Sequence, residues 1–258
     1  MFTINQFTKC AFLALVMTGL IPGIAASQPI AAGVKNIVLV HGAFADGSSW
    51  AKVIPLLETK GYTVKAVQNP LTSLEDDVAA TKRIMASMEG PVLLVGHSWA
   101  GVVITEAGSD PKAAGLLYVC AFAPGDGQSL EDAAKAFPPA HGNTAVRVSP
   151  SGFLTLSSKG IHEDFAQDLL PAERKVIAAT QGEWSAECTT AKISKAAWKT
   201  KPSWFIIGTD DHMINPELQR AQAKTMKAIT TELRSSHVPM LSQPKEVAAF
   251  IISAAQKL

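Results

Sequence analysis

From residue 36 onward, strand-like and helix-like segments take turns along the chain. The strand-like segments are "NIVLVHG" (36–42), "TVKAVQNP" (63–70), "PVLLVGHS" (91–98), "AAGLLYVCAFAP" (113–124), "SWFIIGTDD" (203–211) and "TTELRSSH" (230–237). Between them, "WAKVIPLLETKG", "SLEDDVAATKRIMASME" (73–89), "AGVVITEAGSD" and "PELQRAQAKTMKA" carry helical periodicity, and a last helix starts at Pro244. Ser73 and Asp76 fit a capping box at the start of the second helix. Segments such as "VLLV" are apolar on consecutive residues, as burial on both faces of a sheet requires. The alternation predicts a mostly parallel sheet of about six strands with helices on both faces.

The pattern stops between residues 125 and about 199. This stretch is richer in Pro, Gly, Ser and charge, with helical pieces such as "PAERKVIAATQ" and no clear strand. It is too long for a structureless loop in a compact domain, so it reads as a helical cap inserted into the core of a 28–258 domain. Phe137, Phe153, Phe165, Trp184 and Trp198 lie in it, each expected to pack the cap onto the core or to line a pocket.

Residues 1–27 read differently. Lys9 is the sole charge, and "CAFLALVMTGLIPGIAAS" is an apolar run ending in small residues, the layout of a cleaved secretory signal. Gly19, Pro22 and Gly23 interrupt the run, leaving it short of the roughly 20 apolar residues a membrane span needs. The expected mature protein is periplasmic or secreted and free of the membrane. Loss of Lys9 takes the formal charge from +1 to zero. A neutral chain without basic blocks has no electrostatic reason to bind nucleic acid. Cys120 and Cys188 remain; Cys120 sits in an apolar strand, and both are expected as free thiols. The six histidines show no metal-ligand spacing, and no metal or cofactor is expected.

In a sheet of this type ligands collect at the carboxyl ends of the strands. Ser98 follows the third strand, Asp210 or Asp211 the fifth, and His237 the sixth. The order Ser, Asp, His is that of an α/β-hydrolase, in which a serine on a tight strand–helix turn is activated by an imidazole held by a carboxylate. In "GHSWAG", Ala100 stands where the second Gly of G-x-S-x-G falls, with Gly101 next. A base following the acid must be His212 or His237; His212 abuts the acid, which leaves His237. His41 is expected to brace the first strand–loop junction and His97 to pack under the serine turn, while His141 and His162 fall in the cap. The oxyanion of a tetrahedral intermediate needs preorganised donors. The amides of Trp99, directly after the serine, and of Ala43, in the loop after the first strand, are the expected pair. Phe44 and Trp99 neighbour these donors and are candidate pocket residues.

"IVLVHGAFADGSSWAKVIPLLETKGYTVKAV", "VLLVGHSWAG", "GTDDHMINPEL" and "SSHVPMLSQP" resemble the plant methylesterase and hydroxynitrile lyase branch of the α/β-hydrolases and its bacterial esterase relatives. The resemblance covers almost the whole chain after the leader and is weakest in the cap. It implies a serine carboxylesterase acting on small to medium esters, with Ser98 as nucleophile, His237 as base, and Ala43 and Trp99 as oxyanion donors. It also places the acid fourth in a Gly-x-x-Asp turn ahead of Pro216-Glu217, which favours Asp211 over Asp210; Asp126, after the fourth strand, is a distant third. Three other readings compete: a carbon–carbon lyase, a dehalogenase or epoxide hydrolase, whose Asp nucleophile Ser98 excludes, and a binding module that kept the fold. The lyases carry Lys directly after the catalytic His, and this chain has Val238.

Overall fold

A computed structural model describes residues 33–258. The leader, residues 1–27, lies outside the described residues. Within them, nine strands and nine α-helices follow one another: β1 (Asn36–Val40), α1 (Ile54–Glu58), β2 (Thr63–Ala66), α2 (Leu74–Ala86), β3 (Val92–His97), α3 (Ala100–Ala107), β4 (Ala113–Val119), α4 (Leu130–Ala134), β5 (Val146–Val148), β6 (Phe153–Leu156), α5 (Ser158–Gly160), α6 (Pro171–Thr180), β7 (Trp184–Ser185), β8 (Ser203–Gly208), α7 (Pro216–Thr225), β9 (Ile229–Leu233), α8 (Pro239–Ser242) and α9 (Pro244–Ala255).

Six strands form one sheet in the order β2-β1-β3-β4-β8-β9, every pair parallel. All residues of the central β1, β3 and β8 are buried, which is why those segments read as unbroken apolar runs. The edge strands β2 and β9 are partly exposed and correspondingly polar. The chain moves outward from β1 to β2, then returns past β1 to β3 and proceeds the other way. Right-handed crossovers put helices on opposite faces when the direction of travel reverses. Accordingly α1 packs against α9, and α2 packs against α3. The reversal falls between β1 and β3, so their carboxyl ends flank a crevice where the sheet has no connection to fill it.

Most strands stop short of the expected spans because the chain leaves the sheet early to build this crevice: β1 ends at Val40, β8 at Gly208 and β9 at Leu233. At the start of α2, the Ser73 hydroxyl oxygen accepts the Asp76 amide (3.0 Å). The reciprocal half of the capping box is replaced, since the Asp76 carboxylate accepts the hydroxyls of Thr72 (2.7 Å) and Ser73 (2.8 Å).

The segment between β4 and β8 holds α4, α5 and α6, and in addition a small antiparallel sheet in the order β5-β6-β7, which the reading of this region as strandless did not anticipate. Its strands are two to four residues long. Pieces that short leave little for a pattern to stand out from, although burial does alternate along β6, and their pairing depends on contacts made across the insertion. Cys120 and Cys188 are both buried free thiols. Burial pushes the Cys188 thiol up to about 12.

Candidate active site

At the end of β3 the chain turns directly into α3, and Ser98 occupies the turn with φ +56°. A left-handed conformation is rare for a non-glycine residue and is held here by its surroundings. The Ser98 amide donates to the Val119 carbonyl (3.1 Å), and its own carbonyl accepts from Gly101 (3.0 Å) and Phe122 (3.3 Å). Two glycines make room for the turn. A Cβ on Gly42 would lie 2.7 Å from Ser98 Cβ, and one on Gly101 would lie 2.1 Å from the Phe122 carbonyl oxygen. The close approach after the serine therefore falls at Gly101. Ala100, fully buried in the first turn of α3, is accommodated as ordinary helix.

Phe44 (φ +59°) and Cys120 (φ +44°), which follow β1 and β4, share the left-handed conformation. Strain is thus concentrated along the carboxyl edge of the sheet. Neither the Ala43 amide nor the Trp99 amide donates a hydrogen bond among the described residues. Both residues line one cavity together with Ser98.

His237, 1% exposed, follows β9, and its Nδ1 lies 2.9 Å from Asp211 Oδ2. The Asp211 carboxylate accepts three further hydrogen bonds: Oδ1 from the amides of Met213 (2.8 Å) and Ile214 (3.0 Å), Oδ2 from Gln219 Nε2 (2.8 Å). Its neighbour Asp210 points outward, 3.3 Å from Arg234. Asp126 is occupied elsewhere, accepting the Ala196 amide (2.6 Å) and the Lys199 ammonium (2.7 Å). No hydrogen bond joins Ser98 Oγ to His237 among the described residues; in ligand-free enzymes such contacts are often long and tighten when substrate binds.

His97 and His41 brace this arrangement. His97 Nε2 lies 2.8 Å from the His237 carbonyl oxygen, and the two rings are 4.7 Å apart. Burial, then the nearby His237 ring, hold the His97 pKa well below 6.5, so the His97 ring is neutral and donates from Nε2 to that carbonyl. His41 Nε2 accepts the Asn69 amide (2.9 Å), while Nδ1 lies 2.9 Å from the Gly42 carbonyl. This ties the loop carrying Ala43 to the end of β2. In the cap, His141 is not idle: its Nδ1 lies 2.6 Å from the buried Asp164.

Above Ser98 and His237 lies a cavity of about 510 Å³ walled chiefly by apolar side chains, among them Phe44, Trp99, Phe137, Trp184 and Met213. Trp184 reaches down from β7, its ring 5.8 Å from Phe44 and 5.3 Å from Trp99. Phe165, also from the cap, packs on the His237 ring (5.2 Å). Trp198 donates to the Pro124 carbonyl (2.9 Å) and pins the cap's return to the core.

Some of the buried groups around the site were not foreseen from the sequence. Asp77, fully buried on α2, accepts the Trp99 indole N–H (2.7 Å) and the Leu71 amide (2.8 Å). Burial raises its pKa from 3.8 to about 6, against the pull of both hydrogen bonds. Within "SLEDDVAATKRIMA" Asp77 looks like one of three acidic residues of a first turn. The signal that distinguishes it is its helical spacing from the buried Thr81 and Met85, which places a carboxylate on the core-facing stripe. Among the described residues no group of three or more His, Cys, Asp or Glu is placed to hold a metal ion.

A parallel sheet with a strained serine after β3 and a buried Asp–His pair after β8 and β9 defines an α/β-hydrolase. The chain belongs to the alpha/beta hydrolase family, whose model it matches over residues 37–250. It is similar to the pyrethroid hydrolase of Sphingobium wenxiniae, 25% identical over 250 residues covering 84% of this chain and 86% of that protein. Methylesterase 8 of Arabidopsis thaliana is 24% identical over 249 residues, covering 86% and 90%. Among solved structures, that of polyneuridine aldehyde esterase superimposes with a TM-score of 0.74 at 22% identity, covering 86% of this chain and 99% of that one.

Proposed function

We propose that the protein is a serine carboxylesterase that hydrolyses small to medium carboxylic esters through an acyl-enzyme. The observation that carries this reading is the buried 2.9 Å contact between His237 and Asp211, set beneath a cavity that Ser98 and His237 both line. In this reading Asp211 keeps the imidazole proton on Nδ1, leaving Nε2 to accept the Ser98 proton. The serine oxygen adds to the ester carbonyl carbon, and the oxyanion rests on the amides of Ala43 and Trp99. His237 returns the proton to the leaving alcohol; water, activated by the same ring, then releases the acid. The relatives named as ester-cleaving enzymes agree with this chemistry.

A lyase would need a cation beside the base to hold departing cyanide. The residue after His237 is Val238, uncharged and 1% exposed, while Lys135 lies on the α4 side of the cavity. We further propose that residues 1–27 direct export and are removed, supported by their short apolar run; among the described residues no helix is long and apolar enough to cross a membrane.

A panel of p-nitrophenyl esters of graded acyl length, run beside mandelonitrile, tests the reaction class. Ester turnover with negligible cyanide release is expected. Cyanide release dependent on Ser98, without ester turnover, would reverse the assignment.

A further inference from the structure

A second cavity, of about 220 Å³, lies on the other side of Phe44. Phe44 is the one residue that lines both cavities, so the two approach each other at Phe44. The second cavity is walled by Phe165, Leu169, Ile177, Val238 and Leu241. Two of these walls belong to the surroundings of the base: Val238 follows His237 in the chain, and the Phe165 ring packs on the His237 ring at 5.2 Å. Toward solvent the cavity is bordered by the exposed Val176 and Thr180 of α6.

Resting on the esterase reading above, we infer that this second cavity is the leaving-group subsite, and that it takes the neutral apolar alcohol arm of an ester whose acyl arm fills the larger cavity. The chemistry assigns the arms. The acyl carbon must sit at Ser98, which lines the larger cavity. The alcohol oxygen must sit beside the imidazole, because that ring returns the proton to it as the C–O bond breaks. A group attached to that oxygen is thereby directed past Phe44 toward Val238 and Phe165. The released alcohol can leave by the Val176–Thr180 side without crossing the acyl-enzyme.

Size and charge narrow the alcohol. An apolar cavity of about 150 Å³ is enough to hold benzene, so 220 Å³ admits an aryl or short branched alkyl group. The polar border carries Asp46 and Glu173, the latter paired with Lys52 at 2.5 Å. Two carboxylates against one paired ammonium disfavour an anionic leaving group.

The test compares the benzyl and methyl esters of butanoic acid, which share the acyl arm and differ only in the alcohol. Ile177 is half-buried on α6 and lines the second cavity but not the one that holds Ser98, so Ile177→Trp fills the second cavity alone. The ratio of kcat/KM for benzyl over methyl ester is expected to fall at least tenfold in this variant and to rise in Ile177→Ala. Product inhibition by benzyl alcohol, measured on the methyl ester, should weaken in parallel in Ile177→Trp. A ratio unchanged within twofold in both variants would overturn the subsite while leaving the esterase reading intact. If Ile177→Trp fails to fold, Ile177→Ala and benzyl alcohol inhibition of the wild type still decide. Wild-type protein inert toward both esters would remove the esterase reading and the subsite with it.

Discussion

Replacing Asp211 with Asn separates its role from that of a merely buried polar group. In the native structure Oδ1 accepts two backbone amides, and Oδ2 accepts Gln219 Nε2 and faces His237 Nδ1. An asparagine that keeps its oxygen on the amides of Met213 and Ile214 presents an NH2 group to both remaining partners. The imidazole must then accept at Nδ1, which moves its proton to Nε2, the nitrogen that has to take the proton of Ser98. Loss of the correct tautomer costs about 10⁴-fold in kcat, or ~5.5 kcal/mol of transition-state stabilisation. The Gln219 amide meets the same donor conflict. It cannot rotate freely, because its Nε2 also donates to the Ile214 carbonyl (2.9 Å) and its Oε1 accepts the Gly208 amide (3.3 Å). A stability loss of ~1–3 kcal/mol is therefore expected as well. The assay is kcat on a saturating p-nitrophenyl ester, with urea unfolding of the same samples. Asp210→Asn is the control: its exposed pairing with Arg234 is worth little, and kcat should stay within about tenfold of wild type. If the two variants exchange phenotypes, the acid is Asp210; if both remain active, the tautomer argument fails.

The buried Asp77 makes folding stability depend on pH. Its folded pKa of about 6 lies above the ordinary 3.8, so its favourable contribution is complete below 3.8 and lost as pH rises through 6. Between about pH 4 and 7.5 the stability of wild type relative to Asp77→Asn should fall by up to ~3 kcal/mol, read by urea unfolding at each pH; a constant difference would refute the burial argument. Gly101→Ala drives a Cβ into the Phe122 carbonyl at 2.1 Å, and the displacement of α3 should cost ~1–3 kcal/mol and reduce kcat with it. Unchanged stability and turnover would show that Ala100 and Gly101 are interchangeable in the turn.

The core was legible in the sequence because its central strands are buried on both faces. Ile37–Val40 and Val92–Val95 are fully buried, and no amphipathic helix produces such unbroken runs. The positions of Ser98 and His237 were legible because each follows a strand, Ser98 the apolar β3 and His237 the polar edge strand β9, at the end of the sheet that collects ligands. Asp211 was separable from Asp210 only through the register of a resembling family, since neighbouring carboxylates in a turn differ in direction, not in pattern. The cap resisted reading because Val146–Val148, Phe153–Leu156 and Trp184–Ser185 are held by each other and are too short to stand out, even though burial alternates along Phe153–Leu156. Gln219, Asn69 and Phe165 act on the site through tertiary contact alone. On α7, Gln219 is a fully buried amide in a helix that otherwise reads as polar, and its partners lie on other segments.

The central claim is that Ser98 carries the acyl group, and covalent labelling tests it most directly. Protein treated with a fluorophosphonate should gain one adduct by intact mass, located at Ser98 by peptide mapping and absent from Ser98→Ala. The same variant should unfold at an unchanged urea midpoint and lose on the order of 10⁴- to 10⁶-fold in kcat on the preferred ester. An adduct on another residue, or a Ser98→Ala protein keeping more than about a tenth of wild-type turnover, would contradict the account.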